Sequence, residues 1–557
     1  MGQEIEVILF DMGGTLRSTV SKSKSEKQEL VRKMLDLLDV EFPLDEFTSV
    51  LAAHADAYRR WTQETLIELS ESDLWTKWML PDLPAGKIRD KAIQLNQLYR
   101  SLAGTKIVFP ETRDVILELF RRGYRLGLVS NTTSSIEVPA ALRDLNISGC
   151  FEVVILSTVV GMRKPDPAIL LEATRRMGVA PENCAYIGDR VDRDVAAARR
   201  AGFSKAIIMR GTRHENDPEW GHDPHFVPDH VISNLTGLLD IFPRRSPPQP
   251  AVVYDVSLST MWAMKNFPTL VDFFEVARRM GFARIELNHK VTTPMLDGIA
   301  PGQYKISSVH EPCPADVSED ELKKRDWLIS STNETNRNEG VNAIKRSISM
   351  ANRVGAPVVV IHAGQTLPDH DRLEKKLREL LDARQRDSDE YRTIHERMLV
   401  LRLKNEAASF TSLQKSIQEL LDYARPLHVQ LGLENRFHFL EHPSPNELEI
   451  LLGMAGQEQL GFIFDIGHAE TLDRLGFYPG EEWLERFSSR IIGTHLHDVI
   501  TTDDHYAAGL GDANFEAAAR LLPPNAFRTC EFQNFNSPEQ VKAGLDFLVK
   551  HNCIKKL

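Results

Sequence analysis

Cysteine is scarce in this chain of 557 residues: there are five (Cys150, Cys184, Cys313, Cys530 and Cys553), odd in number, scattered and never in CxxC spacing. That argues against a disulfide framework and a cysteine-ligated zinc site, and points to a reducing cytoplasm. Long apolar runs are missing too. None approaches the roughly 20 residues a membrane span needs, and the short run at 7–10 follows acidic residues and leads into Asp11, unlike a signal peptide. Positive charge is in deficit. The formal net charge is −12, with 32 basic against 35 acidic residues up to position 250 and 35 against 44 beyond it. Long-range steering toward nucleic acid would want the opposite sign. The expected partner is therefore a small anionic or neutral molecule held by local donors, with no membrane and no nucleic acid.

What is present fits two soluble domains. The length exceeds the roughly 250–300 residues at which one core stops growing, and 42% hydrophobic with 26% charged residues is ordinary for a globular protein. Residues 243–250, Pro-Arg-Arg-Ser-Pro-Pro-Gln-Pro, have little to bury and favour an extended spacer. The reading is an α/β domain over 1–242, a proline-rich linker over 243–250 and a second α/β domain over 251–557.

The first domain opens with a buried-strand run at 5–10 that ends in Asp11-Met12-Gly13-Gly14-Thr15. An apolar strand delivering a carboxylate into a glycine turn is how an open α/β sheet presents a reactive group at its carboxyl edge. A second strand, 125–129, ends in Ser130-Asn131-Thr132; Lys164 precedes a proline-marked helix start; a further strand, 184–187, ends in Gly188-Asp189, followed by Asp192 and Asp194. One carboxylate nucleophile, one hydroxyl, one ammonium and one acidic pair, in that order, suit phosphoryl transfer through an aspartyl-phosphate. Asp11 would attack phosphorus, Ser130 and Lys164 would bind its oxygens with Asn131 beside them on the substrate, and Asp189, with Asp11 and Asp194, would hold Mg²⁺.

These four signals resemble those of the haloacid dehalogenase-like hydrolase superfamily, over about residues 4–242. The resemblance implies a Rossmann-like core whose long helical stretch, about 17–105, is an inserted cap that closes over small substrates. It also implies that the Gly13 carbonyl joins the Mg²⁺ ligands. One position departs from the pattern. Phosphatases of the family usually carry a second aspartate two residues after the nucleophile, which protonates the leaving group; here it is Gly13. General acid–base help is worth roughly 10²–10⁴ in rate. Three readings follow: an active phosphohydrolase, a relative whose substrate brings a good leaving group or its own proton donor, and a non-catalytic module that binds a phosphometabolite.

In the second domain short apolar strands alternate with amphipathic helices, at 252–257, 284–287, 306–310, 357–362, 430–434, 461–465, 491–495 and 529–532. Eight β-α repeats in about 300 residues are what a closed (β/α)8 TIM barrel requires. Glu286, His310, His362, Glu434, Asp465, His495 and Glu531 all fall at or near strand ends, on the face where such barrels build active sites. So many imidazoles and carboxylates are poor core material unless a divalent metal joins them. Glu434, Asp465, His495 and Glu531, spaced by 31, 30 and 36 residues, form a mixed N/O set suited to Mn²⁺, Co²⁺, Mg²⁺ or Zn²⁺.

Val360-Ile361-His362-Ala363-Gly364, Leu433-Glu434-Asn435, Phe464-Asp465-Ile466-Gly467-His468-Ala469, His495-Leu496-His497-Asp498 and Asp503-Asp504-His505 resemble the xylose isomerase-like superfamily, in particular its sugar phosphate isomerases/epimerases and its endonuclease IV relatives. The resemblance to the epimerases implies one metal on Glu434, Asp465, His495 and Glu531, chelating a carbonyl and its neighbouring hydroxyl, with Glu434 and Glu531 exchanging the proton between them. His310 and His362 then touch substrate, and Glu286 either does so too or is a strand-end carboxylate paired with a nearby base. The resemblance to endonuclease IV implies instead that His310, His362, His468, Asp503 and His505 add ligands for a multi-zinc phosphoesterase. His289, His438, His442 and His497 read as surface or packing residues. Residues 369–427 are longer than the usual connection, with a charged helical pair to which the sequence assigns no task. Joining the two domains suggests successive steps on one phosphorylated sugar or polyol, with a homo-oligomer left open.

Overall fold

The structure, a computed structural model, describes residues 4–210, 227–300, 302–367 and 371–557. It divides into two compact units, Met1–Pro248 and Gln249–Leu557. Among the described residues no helix is long and apolar enough to cross a membrane.

The first unit is built on a parallel six-stranded sheet in the order Phe151–Leu156, Arg125–Ser130, Val7–Phe10, Cys184–Gly188, Lys205–Met209, His230–Ile232. Val7–Phe10 is apolar and buried at every position, as a central parallel strand covered on both faces must be. Its neighbours on the two sides end in Ser130 and Gly188, so the groups that follow all three strands meet at one edge. Residues between the short antiparallel strands Arg17–Val20 and Thr105–Val108 form a separate helical body with its own core around Val31, Met34, Phe47, Trp75 and Leu95. Its first helix, Lys24–Leu38, is started by a capping box of Ser23 and Glu26.

Part of the proline-rich segment is held by the first unit. Arg245 donates its backbone N–H to Arg122 (2.9 Å) and its guanidinium to the Ile5 carbonyl (3.1 Å), and it stacks on Tyr124. The tyrosine in turn donates to the Pro243 carbonyl. The first half of the proline run is thus docked on the first unit, because its two arginines supply donors that the prolines lack.

The second unit is a closed parallel barrel of eight strands: Tyr254–Ser259, Phe282–Leu287, Ile306–His310, Val358–Ile361, Gln430–Glu434, Leu460–Asp465, Ile491–Leu496 and Phe527–Cys530, the last pairing with the first. Strand ends differ from the sequence reading by up to two residues, and Glu531 lies just past its strand. The long connection after Val358–Ile361 contains helices Asp371–Asp382 and Asp389–Ala424, the latter of 36 residues. They share a core with Phe439, Leu440, Leu472 and Leu475, which lie on connections at the strand-end face.

Candidate active sites

In the first unit Asp11 is buried and its backbone N–H donates to the Ile187 carbonyl, at the mouth of the sheet. Gly14 is held at φ +82°, and a Cβ there would stand 2.0 Å from the Asp189 carboxylate. The turn therefore needs glycine both for its backbone and for the approach of Asp189. Gly13 differs: a Cβ built on it meets nothing within 4 Å. Lys164 Nζ is fully buried. It donates to Asp11 Oδ1 (2.8 Å), to Tyr186 Oη (2.5 Å) and to the Val129 carbonyl (3.1 Å), and lies 2.8 Å from Asp194 Oδ1. Asn131, expected on the substrate, instead spends its amide on the backbone of Lys164, accepting from its N–H and donating to its carbonyl, both at 2.9 Å. Ser130 is buried at the end of its strand.

Asp11, Asp189 and Asp194 offer oxygens within 4.8 Å of one another. Three hard donors of this kind fit Mg²⁺. Between them lies a group the sequence reading passed over: Arg193, whose Nη2 is 3.1 Å from Asp11 Oδ2, 2.7 Å from Asp189 Oδ1 and 3.0 Å from Asp194 Oδ2. It follows Asp189 by four residues, across the start of the short helical segment Val191–Val195. Burial raises the Asp189 carboxyl to about 7 against the pull of Arg193. Burial also opposes ionisation of Asp194, but Arg193 and Lys164 outweigh it and hold that carboxyl low. Beside this edge, under the helical cap, lies a cavity of about 660 Å³ lined by Lys24, Arg59, Arg100, Lys106 and Arg163 among others. Such a lining suits an anionic ligand.

In the barrel, His495 stands at the centre. Its Nδ1 lies 2.6 Å from Glu434 Oε1, 2.9 Å from Glu531 Oε2 and 3.6 Å from Asp465 Oδ2. Of the two expectations for Glu286, the pairing with a nearby base matches its surroundings. Its Oε2, which accepts from Ser308 (2.6 Å), lies 3.1 Å from His495 Nε2 and orients the ring. His310, expected on the substrate, joins Glu434, His495 and Glu531 in a group whose ligand atoms all lie within 4.8 Å of one another. Asp465 belongs to an adjoining group with Glu434 and His468. His362 Nε2 is 3.3 Å from Glu434 Oε2, and its Nδ1 is 3.3 Å from Glu319. Arg436, unforeseen although two residues past Glu434, donates to Glu434 Oε2 at 2.9 Å and to Glu441 at 3.1 Å.

Glu434 Oε1, Glu531 Oε1 and His495 Nδ1 are buried without a hydrogen bond that meets geometric criteria. Buried polar atoms crowded together yet unpaired fit ligands of a shared ion. Burial disfavours the Glu434 carboxylate, yet the imidazoles of His495, His310 and His362 hold it far below its usual range. Burial likewise disfavours a charged His310, but Glu434 raises it to about 9. Protonated imidazoles balance the carboxylates here.

A further group gathers His468, His497, Asp504 and His505. Asp503 is corrected: it is exposed on the strand Asp503–Tyr506, whereas Asp504 lies 2.7 Å from His505 and 3.7 Å from His468. His497, read as surface or packing, is buried. Its Nε2 is 3.0 Å from Asp465, and its Nδ1 accepts from the His505 backbone N–H (2.9 Å), so it holds Asp465 in place. Gly467 makes room for that ring, since a Cβ there would stand 2.0 Å from it. The long helical pair also acquires a task. Buried Glu374 accepts from Phe439 N–H and lies 2.9 Å from His438 Nδ1, while Arg378 donates to the Phe437 and Thr502 carbonyls. Arg402 donates to the Glu441 carbonyl. The helices thus fix the segment that carries Arg436.

Residues 5–202 match the family model of haloacid dehalogenase-like hydrolases, and residues 274–551 match that of xylose isomerase-like TIM barrels. Glyceraldehyde 3-phosphate phosphatase of Methanopyrus kandleri is 29% identical over 246 residues, covering 42% of this chain and 97% of the relative. Phosphoserine phosphatase of Thermus thermophilus is 26% identical over 257 residues, covering 42% and 96%. Among solved structures, a D-tagatose 3-epimerase-like protein aligns over 53% of this chain and 96% of its own with a TM-score of 0.37 and 19% identity.

Proposed function

Because the chain joins a haloacid dehalogenase-like hydrolase segment to a xylose isomerase-like TIM barrel, we propose that it is a two-site enzyme of carbohydrate metabolism, a phosphohydrolase followed by a divalent-metal-dependent isomerase or epimerase of sugars or their phosphates. The observation that carries the barrel reading is His495 Nδ1 set between Glu434 Oε1 and Glu531 Oε2, with His310 beside them. These residues would hold one divalent ion, which when bound polarises a carbonyl and its neighbouring hydroxyl. Glu434 and Glu531 remove the proton from the intervening carbon and return it. Glu286 and Arg436 keep the two sides aligned.

In the first unit Asp11 attacks phosphorus, Lys164 orients the nucleophile and receives a phosphoryl oxygen, and Ser130 binds another. Asp11, Asp189 and Asp194, with the Gly13 carbonyl, would hold Mg²⁺, which shields phosphoryl charge when bound. Relatives named as phosphatases of glyceraldehyde 3-phosphate and phosphoserine support a small phosphorylated substrate. With Gly13 in place of a second carboxylate, the leaving oxygen takes its proton from solvent or from the substrate.

The group of His468, Asp504 and His505 favours a second reading for the barrel, a phosphoester-cleaving site with two or three ions. Metal analysis of the purified protein separates the two, since one ion in the barrel supports isomerisation and several zinc ions support cleavage. Incubation with ketoses and their phosphates in D₂O then tests the first reading. Carbon-bound deuterium should appear with the wild-type protein, and its failure to appear with any of them would sink the reading.

A further inference from the structure

We propose that Arg193 is a resident cation of the phosphate site, competing with the divalent ion for the three carboxylates, so that metal enters only when the guanidinium swings out. The competition rests on the phosphohydrolase reading for the site's location and on geometry for the rest. One guanidinium nitrogen is within 3.1 Å of all three carboxylates, whereas Mg²⁺ would need those oxygens at about 2.0–2.1 Å. The two cations cannot share the cradle.

The oxygens are divided between two cations. Lys164 takes Oδ1 of Asp11 and shares Oδ1 of Asp194 with Arg193 Nε (3.3 Å), and Arg193 Nη2 takes Oδ2 of each together with Asp189 Oδ1. Arg193 cannot be discharged by a shift of pH near neutrality. The arginine side chain keeps 23% of its surface exposed, which leaves it a route to solvent, while Lys164 is fully enclosed. The arrangement is specific to this arginine. Arg190, on the same turn, is paired with Asp192, and Arg17 with Glu137.

The probe is Mn²⁺, titrated by equilibrium binding with electron paramagnetic resonance. Each protein is compared with its own Asp189→Asn form, so that ions held by the barrel cancel. Arg193→Met and Arg193→Asn should each bind Mn²⁺ at the first unit at least tenfold more tightly than wild type, and lose that gain when Asp189→Asn is added. Equal or weaker affinity in both variants would overturn the proposal. Should both variants fail to fold, the wild-type protein decides. Phenylglyoxal should label Arg193 faster with saturating Mn²⁺ than in chelator, read on its peptide by mass spectrometry, and equal labelling would overturn the proposal. Neither readout uses turnover, so loss of the phosphohydrolase reading would show separately, as absence of phosphate release.

Discussion

The two sites solve the same electrostatic problem by different means. In the first unit, buried carboxylates are balanced by Lys164 and by Arg193, whose guanidinium stays charged at any ordinary pH. In the barrel the balance comes from His310 and His495, whose protons can leave. Metal loading of the barrel is therefore an exchange of protons for an ion, whereas loading of the phosphate site requires a side chain to move. The difference also explains the orphaned atoms. Glu531 Oε1 takes no hydrogen bond and Glu434 Oε1 has only a poorly aligned approach of 2.6 Å from His495 Nδ1, while both oxygens of Asp11 and of Asp194 lie against Lys164 or Arg193.

The largest effect that would break the comparison concerns barrel chemistry. Glu434→Gln and Glu531→Gln should each cut deuterium incorporation by about 10²–10⁴-fold, and undiminished incorporation would remove the proton-transfer roles. Next comes Gly13→Asp. The open space beside Gly13 should accept the carboxyl and raise aryl phosphate turnover by about 10²-fold; no gain would mean that proton supply does not limit the first site.

The third prediction sharpens the contrast directly. From about pH 7.5 to about pH 9, metal affinity of the barrel should rise by up to about tenfold per pH unit for each proton displaced, and affinity of the first unit should stay level. The sign follows from His310, whose imidazolium, favoured up to about 9, must lose its proton before its nitrogen can bind an ion. Titration by calorimetry in buffers of different ionisation heat measures the released protons, and parallel slopes for both sites would erase the distinction.

The smallest effect is structural. His442 and Arg402 overcome the burial of Glu447 and lower its carboxyl from 4.5 to about 2. Its contribution is therefore present above about 4.5 and lost as pH falls toward about 2, worth ~3 kcal/mol at neutrality. Glu447→Gln should lower the melting temperature by several degrees near pH 6, and the gap from wild type should close in acid. A gap that persists unchanged at low pH would contradict this account.

The strands were legible because a four-residue apolar run such as Val7–Phe10 has one physical interpretation, and the metal-ligand types were legible because carboxylates at strand ends have no place in a core. The finer assignments turned on partners that sequence does not display. Glu286 reads equally as a substrate contact or as the partner of a nearby base, and Asn131 as a substrate contact; that their partners are His495 and the Lys164 backbone is visible only in the structure. Asp503 and Asp504 are chemically identical, and only the facing of a short hairpin strand separates them. Arg193 carries no sequence signal of its own, because its role depends on three carboxylates that only the fold brings around it. The task of the helices over 371–424 depended on contacts with residues 437–441 and 502, distant in sequence from most of that helical pair.

The docking of Arg245 on Ile5 and Arg122 also dictates how the halves should be separated for independent assay. Scission ahead of Pro243 would strip the hydrolase fragment of a stacked arginine and leave the Tyr124 hydroxyl without its acceptor. A cut between Pro248 and Gln249 preserves both, and is where dissection of the polypeptide should begin.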